Sequence, residues 1–266
     1  MKTGNLLDQA LTASLPVFTD ANKQLITKSI ADARTALGVG TGDSYRGLKA
    51  LVNAAHTDHQ VDLTIDEIIL QDANYFSKAI HAVSVTVDLA AAGANGLDTG
   101  AEAGTTWYYL WVLAKADGTT CGVFSLSSTT PTFPAGYTFK ALVGAWKNDV
   151  SSNLVNQIQL DRVCGRLGGA GSGVLASGTQ ESYTAVDCSA LVPPTARMIG
   201  CYGGSYANDV SLYVAATSSG LAAQQLYIPI SWGFLSFIIP CPTSQNFYYK
   251  VDTGGSANIW LSSWWY

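Results

Sequence analysis

The chain has 266 residues, enough to bury one large hydrophobic core or two ordinary ones. Only 12% of them are Asp, Glu, Lys or Arg, against ~25% in typical globular domains, while 48% are hydrophobic; this excludes a disordered chain and a long coiled coil. The formal net charge of −5 lacks the basic face with which a general nucleic-acid binder displaces counterions.

In chain order, residues 1–81 are the most charge-dense part of the chain and carry the helical patterning. The first residues have no apolar run that reads as a leader, since Asp8 and Gln9 interrupt it. Ser29-Ile30-Ala31-Asp32 resembles a capping box, and Ile26, Ile30, Ala33 and Leu37 share a helical face closed by Gly38. A second helix is expected from Ser44 through Leu48, Leu51, Val52 and Ala55. A third is expected after Thr64, on Ile65, Ile68, Ile69 and Tyr75. Helices this short form a poor core alone, so the region is expected to pack on copies of itself or on a partner.

Residues 82–165 read as a first β module. Val83, Val85, Val87 and Leu89 alternate with Ser84, Thr86 and Asp88, the mark of a half-buried strand. Trp107-Tyr108-Tyr109-Leu110-Trp111-Val112-Leu113 is a strong strand by content, and Asp117-Gly118 a hairpin signal before Cys121–Leu126. Tyr137–Trp146 and Leu154–Val163 complete the module. Trp107, Tyr109 and Trp111 fall on one strand face and Tyr108 and Leu110 on the other, so one face is core and the other needs a cover.

The Gly/Ser-rich segment 166–173 reads as a linker. Residues 174–266 form a second β module, with strands near Tyr183–Val186, Arg197–Tyr202, Val210–Ala215, Leu226–Ser231, Phe234–Ile239, Phe247–Val251 and Asn258–Trp264. Leu226 to Cys241 is the most apolar stretch. Pro229, Gly233 and Pro240 interrupt it, and a spanning helix needs ~20 unbroken apolar residues, so no membrane insertion is expected. The expected fold is therefore mainly β: a short helical N-terminal region and two sandwich or jelly-roll modules.

Chemistry-bearing motifs are few. His56-Thr57-Asp58-His59 puts two histidines at i, i+3, with no third His or Cys nearby, so no metal site is expected. The five cysteines are widely spaced and form no CxxC, which fits buried reduced thiols in a reducing compartment. No GxSxG elbow, phosphate loop or named carboxylate pair occurs, so neither catalytic residues nor a cofactor is expected. The remaining signal is aromatic, above all the crowding of Trp260, Trp264, Trp265 and Tyr266. Exposed rings of this kind serve as sugar platforms; buried ones close a core or an interface.

Several segments together resemble tailed-bacteriophage fibre and receptor-binding proteins. They are Asp88-Leu89, the loop Gly93–Gly100, Trp107–Val112, Pro131-Thr132-Phe133-Pro134-Ala135-Gly136-Tyr137 and Leu142-Val143-Gly144-Ala145-Trp146. Gln245–Val251 with Gly254-Gly255-Ser256-Ala257 is similar to the close of fibre modules, and 24–41 to the small repeats of fibre shafts. The resemblance implies a tail or head fibre of the virion, homotrimeric, assembled in the host cytoplasm, joined to other virion proteins through its N-terminal region. No catalytic residue carries over. In that setting the distal module is expected to contact host glycan through Trp264, Trp265 and Tyr266, and through the loop around Tyr206, Asn208 and Asp209. The alternatives are a decoration fibre with no receptor, a carbohydrate-binding module or lectin, and a glycan depolymerase.

Overall fold

The structure is a computed structural model that describes residues 17–19, 25–27, 45–166, 172–230, 233–242 and 245–266. Among these every regular element is a strand. Strands β1 (Val17–Thr19) and β2 (Leu25–Thr27) pair antiparallel. The rest of the first predicted helix lies outside the described residues, as does most of the predicted linker.

Residues 45–81, expected as helix, are strands. They form β3 (Tyr45–Arg46), β4 (Lys49–Val52), β5 (Gln60–Gln71) and the start of β6 (Ser77–Asp88). The reason lies in β5. Val61, Leu63 and Ile65 point inward at a spacing of two, but the next inward residues are Ile68 and Leu70. The phase slips at exposed Asp66, opposite Ala82, which sits at φ 55° and leaves a gap in the β5–β6 ladder. A strand with one slip thus spaces Ile65 and Ile68 three apart, which is also the spacing of a helical face. Because β5 and β6 pair on both sides of position 81, residues 45–81 share the core of the module that follows.

That first unit continues with β7 (Gly96–Leu97), β8 (Trp107–Lys115), β9 (Thr120–Ser125), β10 (Tyr137–Lys147) and β11 (Gln157–Leu160). Val61, Leu63, Ile65 and Ile68 pack against Tyr108, Leu110, Val112 and Phe124 between two layers, β4–β5–β6 and β10–β8–β9. The layers join at one corner, where Lys140 pairs with Gln71. The predicted strand 154–163 is instead a hairpin: β11 turns at Asp161, φ 47°, into β12 (Val163–Arg166).

The second unit holds β13 (Gly173–Gly178), β14 (Thr184–Asp187), β15 (Met198–Ser205), β16 (Val210–Ala215), β17 (Gln224–Ile228), β18 (Gly233–Pro240), β19 (Asn246–Val251) and β20 (Ala257–Trp265). One layer runs β18–β15–β20, with β13 and β12 also paired to β20; the other runs β14–β19–β16–β17. Ile199, Cys201, Phe237 and Ile259 meet Val186, Leu212, Phe247 and Tyr249 between them. The path β20–β12–β11–β4 carries one hydrogen-bonded sheet from unit to unit.

Beyond its corner with β5, strand β10 has no strand on its outer edge among the described residues. Unpaired backbone groups in a dry interior are costly, and here side chains satisfy them. Gln157 Nε2 donates to Ala145 O at 2.8 Å, and Gln159 Nε2 donates to Val143 O at 2.5 Å. The Tyr266 hydroxyl accepts from Ala145 N at 2.7 Å and donates to Ala145 O at 3.3 Å. Both glutamines are fully buried. The second face of β8 is covered as well: Tyr109, Trp111 and Leu113 form a small core with Cys121, Val123 and Ala145, and Tyr266 packs against it.

The chain's few cations sit over rings. Lys140 lies 5.2 Å from the Trp111 ring, Lys147 5.6 Å from Trp107, and Lys115 5.0 Å from Tyr137. In the second unit Lys250 lies 4.8 Å from Tyr213 and 5.3 Å from Tyr183. Each cation covers an aromatic face while its charge stays near water.

Two predictions follow from these contacts. Replacing Tyr266 by Phe leaves the buried Ala145 N–H without its acceptor and is expected to cost about 1–3 kcal/mol in denaturant unfolding; an unchanged midpoint would show the bond to be dispensable. All five thiols are free and buried, and burial pushes those of Cys164 and Cys188 up to about 12. Thiolate is therefore scarce at neutral pH in the native state. Ellman's reagent at neutral pH should find no fast-reacting thiol before unfolding and all five after it.

Candidate functional site

The structure separates the six expected contact residues. Trp264 is fully buried and meets Trp107 edge-on, with ring centroids 6.2 Å apart. It offers no face to a ligand, which corrects the expectation. The cause is a bulge in β20: Gly200 pairs with Ser263 but Cys201 with Leu261, so Ser262 is an extra residue. That residue turns Trp264 inward although Trp260, four positions earlier, turns outward. Tyr266 is spent on the edge of β10. Trp265 is half-buried on the outer face, paired with Val163 on one side and Met198 on the other.

Tyr206, Asn208 and Asp209 occupy the exposed turn between β15 and β16. Asp209 sits at φ 55°, and its Oδ1 accepts from Tyr227 Oη at 2.8 Å, which pushes the Tyr227 hydroxyl above its ordinary pKa. Tyr206 joins an aromatic group that the sequence reading did not assemble. The Tyr202 and Trp260 rings lie 5.4 Å apart and 9° from parallel. Phe234 stands edge-on to Trp260 at 5.2 Å and to Tyr202 at 6.4 Å, and Tyr206 stands edge-on to Phe234 at 6.3 Å. Tyr202 is 37% exposed, Phe234 39% and Tyr206 45%, with Trp260 half-buried among them.

Three strands place these rings. Tyr202 of β15 pairs with Trp260 of β20 and with Ser236 of β18, and Gly204 pairs with Phe234. Glycine makes the arrangement possible. A Cβ on Gly204 would run into the Phe234 ring, and one on Gly200 would come within 3.0 Å of the Trp265 ring. The run Gly200-Cys201-Tyr202-Gly203-Gly204 therefore carries a legible signal: Gly, Tyr and Gly at alternating positions share one strand face and leave room there for rings from both neighbours. Among the described residues no cation lies over the Tyr202, Trp260 or Phe234 ring, unlike Trp107, Trp111, Tyr137 and Tyr213. The result is an open aromatic surface on a paired sheet, with Ser236 and the Asn208 turn at its margin.

The histidines lie in the loop between β4 and β5 rather than on a helix. His59 Nδ1 is 2.8 Å from Asp58 Oδ1, and the His56 and His59 rings are 5.5 Å apart. Among the described residues no group of three or more His, Cys, Asp or Glu is placed to hold a metal ion.

No family model and no curated protein matches the chain. Among solved structures, the CBM51-2 and INT domains from Clostridium perfringens ZmpB are similar at 8% identity, with a TM-score of 0.24, over 94% of this chain and 43% of that one. This chain spans less than half the length of that structure, and a likeness of that size fixes neither fold nor ligand. The chain's own geometry defines it as a mainly β protein of two sandwich-like units with an open aromatic surface on the second.

Gly204→Ala tests how that surface is built. Gly204 is not at positive φ, so backbone strain does not confound the change. The added methyl is expected to displace Phe234, cost about 1–3 kcal/mol and alter the near-ultraviolet circular dichroism. Unchanged melting and unchanged aromatic spectra would mean that Phe234 does not rest on Gly204.

Proposed function

We propose that the chain is a non-catalytic attachment protein of a tailed-bacteriophage virion, a homotrimeric fibre or spike that holds host-surface glycan on its second unit. The motifs given above supply the phage reading. The observation that carries the binding reading is the open Tyr202–Trp260–Phe234–Tyr206 surface. A sugar presents an apolar C–H face that stacks on such rings, while its hydroxyls bond to polar groups at the margin, here Ser236 and Asn208. Paired strands and glycine contacts fix the rings in advance, so little ordering cost falls on binding. Three copies on one axis turn weak single contacts into firm adhesion through effective concentration. In this reading the N-terminal residues join the fibre to other virion proteins, and assembly occurs in the host cytoplasm, a setting that suits five free thiols.

One observation favours a second reading of the same surface. Ile238 of β18, on the same strand face as Phe234 and Ser236, is also more than 40% exposed, and an apolar surface of this kind suits a contact between subunits. A Tyr202→Ala, Trp260→Ala double variant separates the two. It is expected to keep the native mass of the parent on light scattering and to lose at least about tenfold in affinity on a glycan array and in host-cell adsorption. Loss of the oligomer would assign the surface to subunit contact. Retained glycan binding would overturn the proposed site.

A further inference from the structure

The aromatic surface continues beyond the four rings described above. Met198, Gly200, Tyr202 and Gly204 share the outer face of β15, and Trp265 of β20 pairs with Met198 on that face. In an unbroken strand Trp260 and Trp265, five positions apart, would point to opposite sides of the sheet. The extra residue Ser262 brings both tryptophans to one side. The rings then follow β15 in order. Phe234 lies over Gly204, Tyr202 and Trp260 stack in the middle, and the six-membered ring of the Trp265 indole lies over Gly200, where a Cβ would come within 3.0 Å of it. From Gly200 to Gly204 the strand rises about 14 Å, at ~3.4 Å per residue. That is longer than a single pyranose ring.

The same face is uncharged. Met198, Gly200, Tyr202 and Gly204 each pair with one residue of β18 and one of β20, and none of these partners is Asp, Glu, Lys or Arg. An anionic sugar laid over the rings would lose hydration with no cation to pair it, whereas a neutral sugar carries no such cost. Polar groups flank the run on both sides. Ser236 of β18 stands beside Tyr202, and Ser263 of β20 stands beside Gly200. Hydroxyls are thus available on either side of the rings for the edge of a sugar.

We propose that the ligand is an extended, uncharged glycan chain that lies along β15. Successive sugar rings rest on Phe234, on the Tyr202–Trp260 pair and on Trp265, and their hydroxyls bond to Ser236 and Ser263. The inference rests on the glycan reading of this surface and adds to it the class of glycan, its course along one strand and Trp265 as a binding residue. Each ring contributes a modest contact. A chain that reaches all of them gains affinity over a short sugar because the rings are held in place by paired strands before it binds.

The test is titration calorimetry on the full chain. The probes are cello-oligosaccharides and N-acetylated chito-oligosaccharides from dimer to hexamer, with a galacturonate hexamer as the acidic control. In at least one neutral series the hexamer is expected to bind at least about tenfold more tightly than the dimer. Its affinity should not change as salt is added, and the acidic hexamer should not bind. Trp265→Leu keeps apolar bulk and removes the flat ring. It is expected to abolish the gain with length and to leave the affinity of the dimer as it was, a readout that a misfolded variant does not give. Trp265→Phe restores a ring and should restore most of the gain. Equal affinity for dimer and hexamer, a gain that survives Trp265→Leu, or equal binding of the acidic hexamer would overturn this inference and leave the Tyr202–Trp260 site standing. Loss of the native mass in Trp265→Leu on light scattering would assign the run of rings to contact between copies and overturn it too. No binding of either neutral series up to about 10 mM would also overturn it, and binding of another sugar on the glycan array would then show that the broader reading survives.

Discussion

The architecture turns on the open edge of β10. A sheet edge inside a protein exposes donors and acceptors that must be paired. Among the described residues no strand pairs there, and Gln157, Gln159 and Tyr266 act in its place. The two glutamines come from β11, the strand that also pairs with β4 in the opposite layer. One strand thereby ties both layers of the first sandwich, through its backbone on one side and its side chains on the other. Tyr266 extends the same bonding to the end of β20, in the second sandwich. The bonds that complete β10 therefore also tie the end of the second unit to the first.

Low charge shapes what is left for function. With 14 Lys and Arg in 266 residues, the protein places several of them over rings that would otherwise face water. Those contacts close the outer surface of β8 and β10. They leave the ring faces of Tyr202, Trp260 and Phe234 as a distinct kind of surface, aromatic and uncapped among the described residues. Burial works in the same direction on the thiols. Cys188 and Cys201 lie in one apolar core with Cys241, and desolvation raises all three. They act as small hydrophobes.

Much of the β architecture was legible because strands buried on one face write their period into the sequence. Val83 to Leu89 alternates cleanly and appears in β6, while Trp107 to Leu113, read from its aromatic and aliphatic content, and Phe247 to Val251 appear as β8 and β19. Two of the failures share one physical cause, a change of phase within a strand. At Asp66 the slip gave β5 a three-residue spacing, and a helix was expected from it. At Ser262 the bulge moved Trp264 to the core, so a residue expected at the surface is fully buried. Local periodicity carries no mark of a bulge, because the extra residue is set by the partner strand. Tyr206 was found from its turn, whereas Tyr202, Phe234 and Trp260 meet only through pairing among β15, β18 and β20, which no single segment reveals.

Strand β20 joins these observations. It sends Trp260 outward to the aromatic surface, Trp264 inward to the core and Tyr266 into the first sandwich. The bulge between Trp260 and Trp264 makes the first two compatible, since an unbroken strand would put both rings on one face. Core packing of Trp264 fixes the height of the strand, and the Tyr266 bonds fix its end. The backbone bonds to Arg162 and Arg197 leave from that same end. The aromatic surface and the contact with the first sandwich are therefore held by opposite ends of one element, and the Tyr202 and Trp260 rings stand where paired strands, rather than a flexible loop, put them.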